Sequence, residues 1–291
     1  MQAKLLFLHA LSPLHAGTGQ GVGVIDLPIA REKATGIPFV PGSTIKGVLR
    51  DACPDNKKVV VFGPDTDSAE LHAGSAQFTD QRLLLLPVRS LAGIFAWVTS
   101  PLLIRRFLRD VENIPSLKST KVPFGPVSDD TCVVADGENC KLIVSHQGED
   151  HVVLEDLSLT LEKQADLNHW ACWLGSQLFP GDGYWQGALK ERLCIVSDNV
   201  LSFLLQTGTE ITARISLDDE KKTVKQGQLW YEEALPAESV LAGLVLATPV
   251  KVSGAEVDAV FKTIGDLAHK QTMQFGGNAT VGRGLCQMRL S

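Results

Sequence analysis

The chain has 291 residues, 44% of them hydrophobic, and a formal net charge of -6. That length suits one large domain or two small ones around a sizeable core. The acidic balance argues against a surface coated in cations for nucleic acid, though a local cationic groove could still hold phosphates, and no apolar run reaches the about 18 residues that suggest a membrane span.

Lys4–Leu11 is apolar and reads as a buried first strand rather than a signal peptide. Gly17, Gly19, Gly21 and Gly23 follow, then Asp26, Pro28 and the charged triplet Arg31-Glu32-Lys33. Pro41-Gly42 opens a helix over Ser43–Asp51, with Ser43 or Thr44 as its cap and Pro54 as its stop. Lys46 and Arg50, four apart, share one face of it. A glycine-rich loop, a helix N-terminus and two cations together suit a phosphate chain. Any one of them alone is an ordinary loop or a solvated helix face.

Val59 begins a short strand and a turn, VVVFGPDTD. Ser75–Phe78 and Arg82–Val88 read as strands on either side of Asp80, and Ser90–Val98 fits strand or helix. After Pro101, Leu102, Leu103, Phe107 and Val111 recur at helical spacing, which puts Arg105, Arg106 and Arg109 on a face expected to be solvated. Residues 113–150, rich in Pro, Ser, Asp and Gly, read as an irregular insertion. Val152–Leu161 resumes a strand, and Asp166–Phe179 predicts a helix with Trp170 and Trp173 in the core. Glu210–Leu217 and Thr223–Tyr231 alternate about the polar turn DDEKK, a hairpin signature. An apolar run over Glu238–Thr248, a helical pattern over Ala255–Lys270 and a glycine-rich tail leading to a last strand complete the chain.

The six cysteines form no CxxC pair, which fits free thiols in a reducing cytoplasm better than a zinc site or a disulfide framework. No Walker lysine motif, HExxH or GxSxG occurs. GQGVG at 19–23 lacks the spacing of a dinucleotide fingerprint.

The strings PLHAGTGQ, VIDLPIAREKATGIPFVPGSTIKGVLR, FGPDTDSAELHAGSAQFTDQRLLLLPVRSLAGIFAWVTSP, LWYEEALP and GGNATVGRG together resemble the RAMP superfamily of CRISPR proteins. More narrowly, they are similar to the repeated backbone subunits of type III-B (Cmr) effector complexes. The IDLPI-REK-GSTIKG spacing is the specific part. The resemblance and the element order imply an α+β fold, a ferredoxin-like (RRM-like) core with large insertions and a projecting β-hairpin thumb. In one domain the core spans about 1–98 and 232–291, the insertions about 99–209 and the thumb about 210–231.

The resemblance also implies the work and the partners. These are a guide RNA, a single-stranded target RNA, stacked copies of the same chain and other Cmr subunits, in the cytoplasm and away from membranes. Target cleavage would use a divalent ion, Mg or Mn. Asp26 matches the aspartate this family uses for cleavage and is a possible metal ligand. His15, beside the glycine loop, is by its own chemistry a candidate acid or base near neutral pH, an RNA contact, or a residue that hydrogen-bonds the loop. Glu232 is a secondary candidate as a second carboxylate. Lys46, Arg50, Arg31 and Lys33 are candidate phosphate contacts, with Glu32 expected to pair with Arg31 or Lys33. Gly276, Gly277 and Arg283 match the family's late glycine-rich loop, where backbone can approach RNA closely. The rival readings are a non-catalytic RNA-binding scaffold and an endonuclease that matures guide RNA.

Overall fold

The computed structural model describes residues 1–17, 25–64, 72–112, 114, 117, 125–135, 139–146, 148–163, 167–217, 224–250, 256–270 and 272–291. The glycine run at 19–23 and the DDEKK turn at 218–222 lie outside them.

The chain begins with β1 (Gln2–Ala10), β2 (Phe39–Val40), α1 (Gly42–Ala52), α2 (Asp55–Phe62), β3 (Ala76–Phe78), β4 (Gln81–Arg89), β5 (Phe95–Thr99) and α3 (Pro101–Glu112). Its middle holds β6 (Thr131–Val134), β7 (Ile143–His146), β8 (Glu149–Leu154), β9 (Leu157–Lys163), α4 (Leu167–Leu178), α5 (Gly183–Arg192), β10 (Leu193–Val196) and α6 (Asp198–Thr207). The hairpin strands β11 (Glu210–Leu217) and β12 (Val224–Ala234) precede β13 (Val240–Ala247), α7 (Val257–Lys270), β14 (Met273–Gln274) and β15 (Leu285–Leu290).

One 13-stranded sheet runs β14-β15-β1-β13-β4-β5-β10-β6-β9-β8-β7, with β2 on β4 and β3 on β13. The apolar run of β1 follows from its central place, since both faces are covered. Leu6 and Leu8 pack in one core with Ile45, Leu49, Phe261 and Ile264 of α1 and α7. Leu5 and Phe7 pack in the other with Ile104, Phe107, Trp170 and Leu174 of α3 and α4. The result is a mixed α/β fold of helix, sheet and helix layers.

Three expectations need correction. Residues 59–62 are the end of helix α2, not a strand. Pro54 sits at its N-cap, Asp55 lies in its first turn, and Val61 and Phe62 are buried in the core, so tertiary packing overrides the β-branched run. Neither Ser43 nor Thr44 caps α1: Pro41 holds the cap position, and the Gly42 N–H donates to Asp80 Oδ1 at 2.9 Å. Glycine is required there, because a Cβ would stand 2.3 Å from the Phe78 carbonyl oxygen. The stretch 113–150 is not irregular throughout. β6, β7 and the start of β8 fall within it and extend the main sheet. Short strands between glycine and proline turns hide their pairing partners from a local reading.

Candidate active site

β11 and β12 form a two-stranded sheet of their own, registered from Glu210↔Ala234 to Ile215↔Leu229. Beside the base of this hairpin runs the extended segment 25–31. The Leu27 N–H donates to the Tyr231 carbonyl and the Glu233 N–H to the Leu27 carbonyl, both at 3.0 Å. These two bonds form a short parallel ladder. The Tyr231 N–H donates to Asp26 Oδ2 at 2.7 Å. Asp26 is exposed, so one carboxylate oxygen is anchored to the strand while the group remains at the surface.

His15 is buried and meets β12 at Glu233, two residues and about 7 Å of strand beyond Tyr231. Its Nδ1 lies 2.6 Å from the Glu233 carbonyl oxygen. A carbonyl only accepts, so Nδ1 carries a proton and Nε2 is the acceptor of the neutral ring. The C-terminal glycines close around this histidine. The Gly277 N–H donates to the His15 carbonyl at 2.9 Å, and a Cβ on Gly276 would meet that oxygen at 2.1 Å. Gly276 also has φ +75°, which favours glycine.

Successive side chains of β12 point to opposite faces, and the two glutamates there grip different partners. Glu232, buried, accepts from Asn278 Nδ2 at 2.7 Å and Arg214 Nε at 3.3 Å, with Arg283 Nε at 3.9 Å. Glu233, also buried, accepts from the Ile29 N–H at 3.0 Å, Arg31 Nη2 at 2.6 Å and Thr209 Oγ1 at 3.0 Å. Arg31 donates further to the carbonyls of Gly36 at 2.9 Å and Leu205 at 2.8 Å.

Glu32 pairs with neither Arg31 nor Lys33. It accepts two bonds from Arg106 of α3, at 2.8 and 2.6 Å. Those bonds hold its carboxyl below the usual range. Arg106 is therefore an anchor for the charged triplet, not part of a solvated face.

The structure thus brings Asp26, His15, Arg31, Glu232, Gly276, Gly277 and Arg283 to the hairpin base. Arg31 and Arg283 direct their donors at protein, the latter at Glu210 and Thr212, both at 3.1 Å. Lys33 is exposed in its turn. Lys46 and Arg50 stand apart on α1, which packs on β3, α2 and α7. Arg50 donates to the Gly63 carbonyl at 2.5 Å. Sequence reasoning missed Glu233, Thr209, Asn278 and the Tyr231 amide as parts of this site. The available signal was Glu232-Glu233 itself, because adjacent acids in a strand face both sides and any buried side must hold a partner.

Among the described residues, no group of three or more His, Cys, Asp and Glu side chains could hold a metal ion. Asp26 has one oxygen on the Tyr231 amide, and both Glu232 oxygens are bonded. These residues do not form a cage for a resident cation.

The sequence pattern of the RAMP superfamily matches residues 7–287. The CRISPR system Cmr endoribonuclease Cmr4 of Pyrococcus furiosus is 34% identical over 305 residues, covering 100% of this chain and 96% of that protein. The crystal structure of oligomeric Cmr4 from Pyrococcus furiosus matches with a TM-score of 0.75 at 28% identity, covering 100% of this chain and 98% of that one. A chain from the cryo-EM structure of type III-B Cmr-beta bound to cognate target RNA shares the fold, with a TM-score of 0.74 at 21% identity, covering 100% and 97%. With one family's pattern and one relative's sequence spanning nearly the whole length, the chain belongs to the RAMP superfamily, in its Cmr4 family.

Proposed function

We propose that this chain is a repeated backbone subunit of a cytoplasmic type III-B CRISPR effector complex, where it binds guide RNA and cleaves the paired target RNA through Asp26. Its partners are the guide, the target, stacked copies of itself and other Cmr subunits. The observation that carries the reading is the exposed Asp26 carboxylate, fixed by one oxygen to Tyr231 at the base of a hairpin whose strands form their own sheet, in a chain of this family.

The strand order β15-β1-β13-β4, antiparallel throughout, with α1 and α7 in the core of one face, supports a ferredoxin-like centre. The extension of the sheet from β10 to β7 is then the insertion and the β11–β12 hairpin the thumb.

In the reaction the 2′-oxygen of the target attacks the adjacent phosphorus and gives up its proton. The bond from phosphorus to the 5′-oxygen breaks, and that oxygen gains a proton. The products are a 2′,3′-cyclic phosphate and a 5′-hydroxyl. Asp26 accepts the 2′-hydroxyl proton in this reading, which its anchored oxygen supports by keeping the carboxylate in one orientation. His15, held through Nδ1, shapes the wall beside it. Base pairing selects the target, and the protein holds backbone. None of these steps depends on the Mg or Mn ion that the family resemblance implies, for which Asp26 and Glu232 offer no resident cage.

Asp26→Asn and Asp26→Ala, in complexes assembled on guide RNA, form the test. Asparagine keeps an acceptor for the Tyr231 N–H but loses the charge. Both variants should stop target cleavage and leave guide binding intact. Normal cleavage by the asparagine variant would reduce Asp26 to shaping its loop and favour the scaffold reading. Cleavage with chelator, then with added Mg or Mn, tests the metal separately.

A further inference from the structure

We infer that Glu233 is a positioning residue for this reaction, acting by substituting its side chain for its own carbonyl in the ladder that mounts Asp26. The inference rests on the functional reading above. A parallel ladder that begins with Leu27 N–H on the Tyr231 carbonyl and Glu233 N–H on the Leu27 carbonyl would next place the Ile29 N–H on the Glu233 carbonyl. The Ile29 N–H goes instead to Glu233 Oε2, at 3.0 Å. The carbonyl so released accepts the His15 Nδ1–H, at 2.6 Å.

One residue therefore does two things. Its carboxylate fixes the segment that carries Asp26, and its carbonyl sets the tautomer of His15. The carboxylate is itself oriented by Arg31 at 2.6 Å and Thr209 at 3.0 Å on the other oxygen. Glu233 is 3% exposed and His15 7%, so water does not stand in freely for either bond.

Removing the carboxylate leaves the Ile29 N–H competing with His15 for one carbonyl. Glu233→Ala should move the imidazole nitrogen signals of His15, assigned by their loss in His15→Gln, from the Nδ1–H tautomer toward the Nε2–H tautomer in the full-length labelled chain. In assembled complexes the same variant should lower single-turnover cleavage by about 10²-fold, the scale of a small misplacement of a reacting group, with guide binding unchanged. Glu233→Gln keeps an acceptor for Ile29 and should restore both the tautomer and most of the rate. If the alanine variant does not fold, Thr209→Val, which removes one support of the carboxylate, should give partial shifts of both kinds. An unchanged His15 tautomer in Glu233→Ala, or in Thr209→Val where that variant stands in, overturns the inference. So does an unchanged cleavage rate. Wild-type complexes that fail to cleave overturn the functional reading and the kinetic half with it, while the spectra still decide the link between Glu233 and His15.

Discussion

Arg283, in the C-terminal glycine turn, meets Glu210 of β11 at 3.1 Å. The same guanidinium donates to Thr212 at 3.1 Å and approaches Glu232 of β12 at 3.9 Å. Thr212 and Glu232 are cross-strand partners, so one arginine ties both strands of the hairpin to the end of the chain. The opposite face is tied through Glu233 to the segment that carries Asp26. The hairpin and the carboxylate are in this way parts of one assembly, clamped from two sides.

Arg283→Ala should loosen that clamp. Glu232 would stay buried with Asn278 and Arg214 as its remaining partners, at a cost of about 1–3 kcal/mol. Amide exchange on β11 and β12 should quicken relative to β1 and β13. The salt dependence of guide binding should not change, because the guanidinium faces protein. A log–log slope lowered by about 0.7, the share of one single-strand phosphate, would return Arg283 to the RNA.

Lys46 and Lys33 are the better phosphate candidates. Each alanine substitution should flatten the salt slope of guide binding by about 0.7. Arg50→Ala should act more on stability, by about 1 kcal/mol, because its bond to the Gly63 carbonyl ties α1 to the end of α2. Filter binding across a salt series and urea unfolding separate the two effects.

Acid should remove the contribution of the Glu32–Arg106 pair. The Glu32 pKa is lowered in the fold, chiefly by its bonds to Arg106, while Arg106 stays charged. A carboxyl depressed on folding stabilises above its unfolded pKa of about 4.3 and loses that contribution as pH falls through the lower folded value. Arg106→Ala should cost about 1–2 kcal/mol at pH 7. The gap between variant and wild type should shrink through the acid range below the unfolded pKa. A gap that is constant with pH would mean that Arg106 acts by packing alone.

The parts legible in the sequence are those whose signal is local. β1 shows as an apolar run, α1 through the Pro41-Gly42 turn before it and Pro54 after it, α3 and α7 through helical spacing, and Glu210–Tyr231 through its alternation about a polar turn. The Asp26 segment was legible through its family resemblance, not through its spacing. What stayed hidden depends on distant partners. Val59–Phe62 carries a strand-like composition but is closed into a helix by Pro54 and core packing. Glu32 sits between two cations in sequence and bonds to a third, 74 residues away. Arg31 and Arg283 look like phosphate ligands until their acceptors, buried Glu233 for the first and Glu210 and Thr212 for the second, are seen. Burial of a charge requires a partner, but sequence does not say which residue supplies it.

Shortening the hairpin should separate its two roles. Among the described residues of the hairpin, the bonds that reach Asp26, His15 and Arg283 come from its base, Glu210–Arg214 with Trp230–Ala234. Ile215 and Leu229, just beyond the base, make none of those bonds and are 49% and 53% exposed. Removing the outer part and rejoining the strands by a two-residue turn should leave the Asp26 mount intact, visible as an unchanged His15 tautomer. Guide binding should also persist. Cleavage should still fall, because in-line attack needs the 2′-oxygen, phosphorus and 5′-oxygen nearly collinear, and a regular A-form strand does not hold them so. A wedge that displaces a base would supply that geometry, and the hairpin proposed above as the thumb is the proposed wedge. Single-turnover cleavage by complexes carrying only the shortened chain is the measurement. A full rate at every site would show that the base alone suffices, and the outer hairpin would lose its place in the reaction.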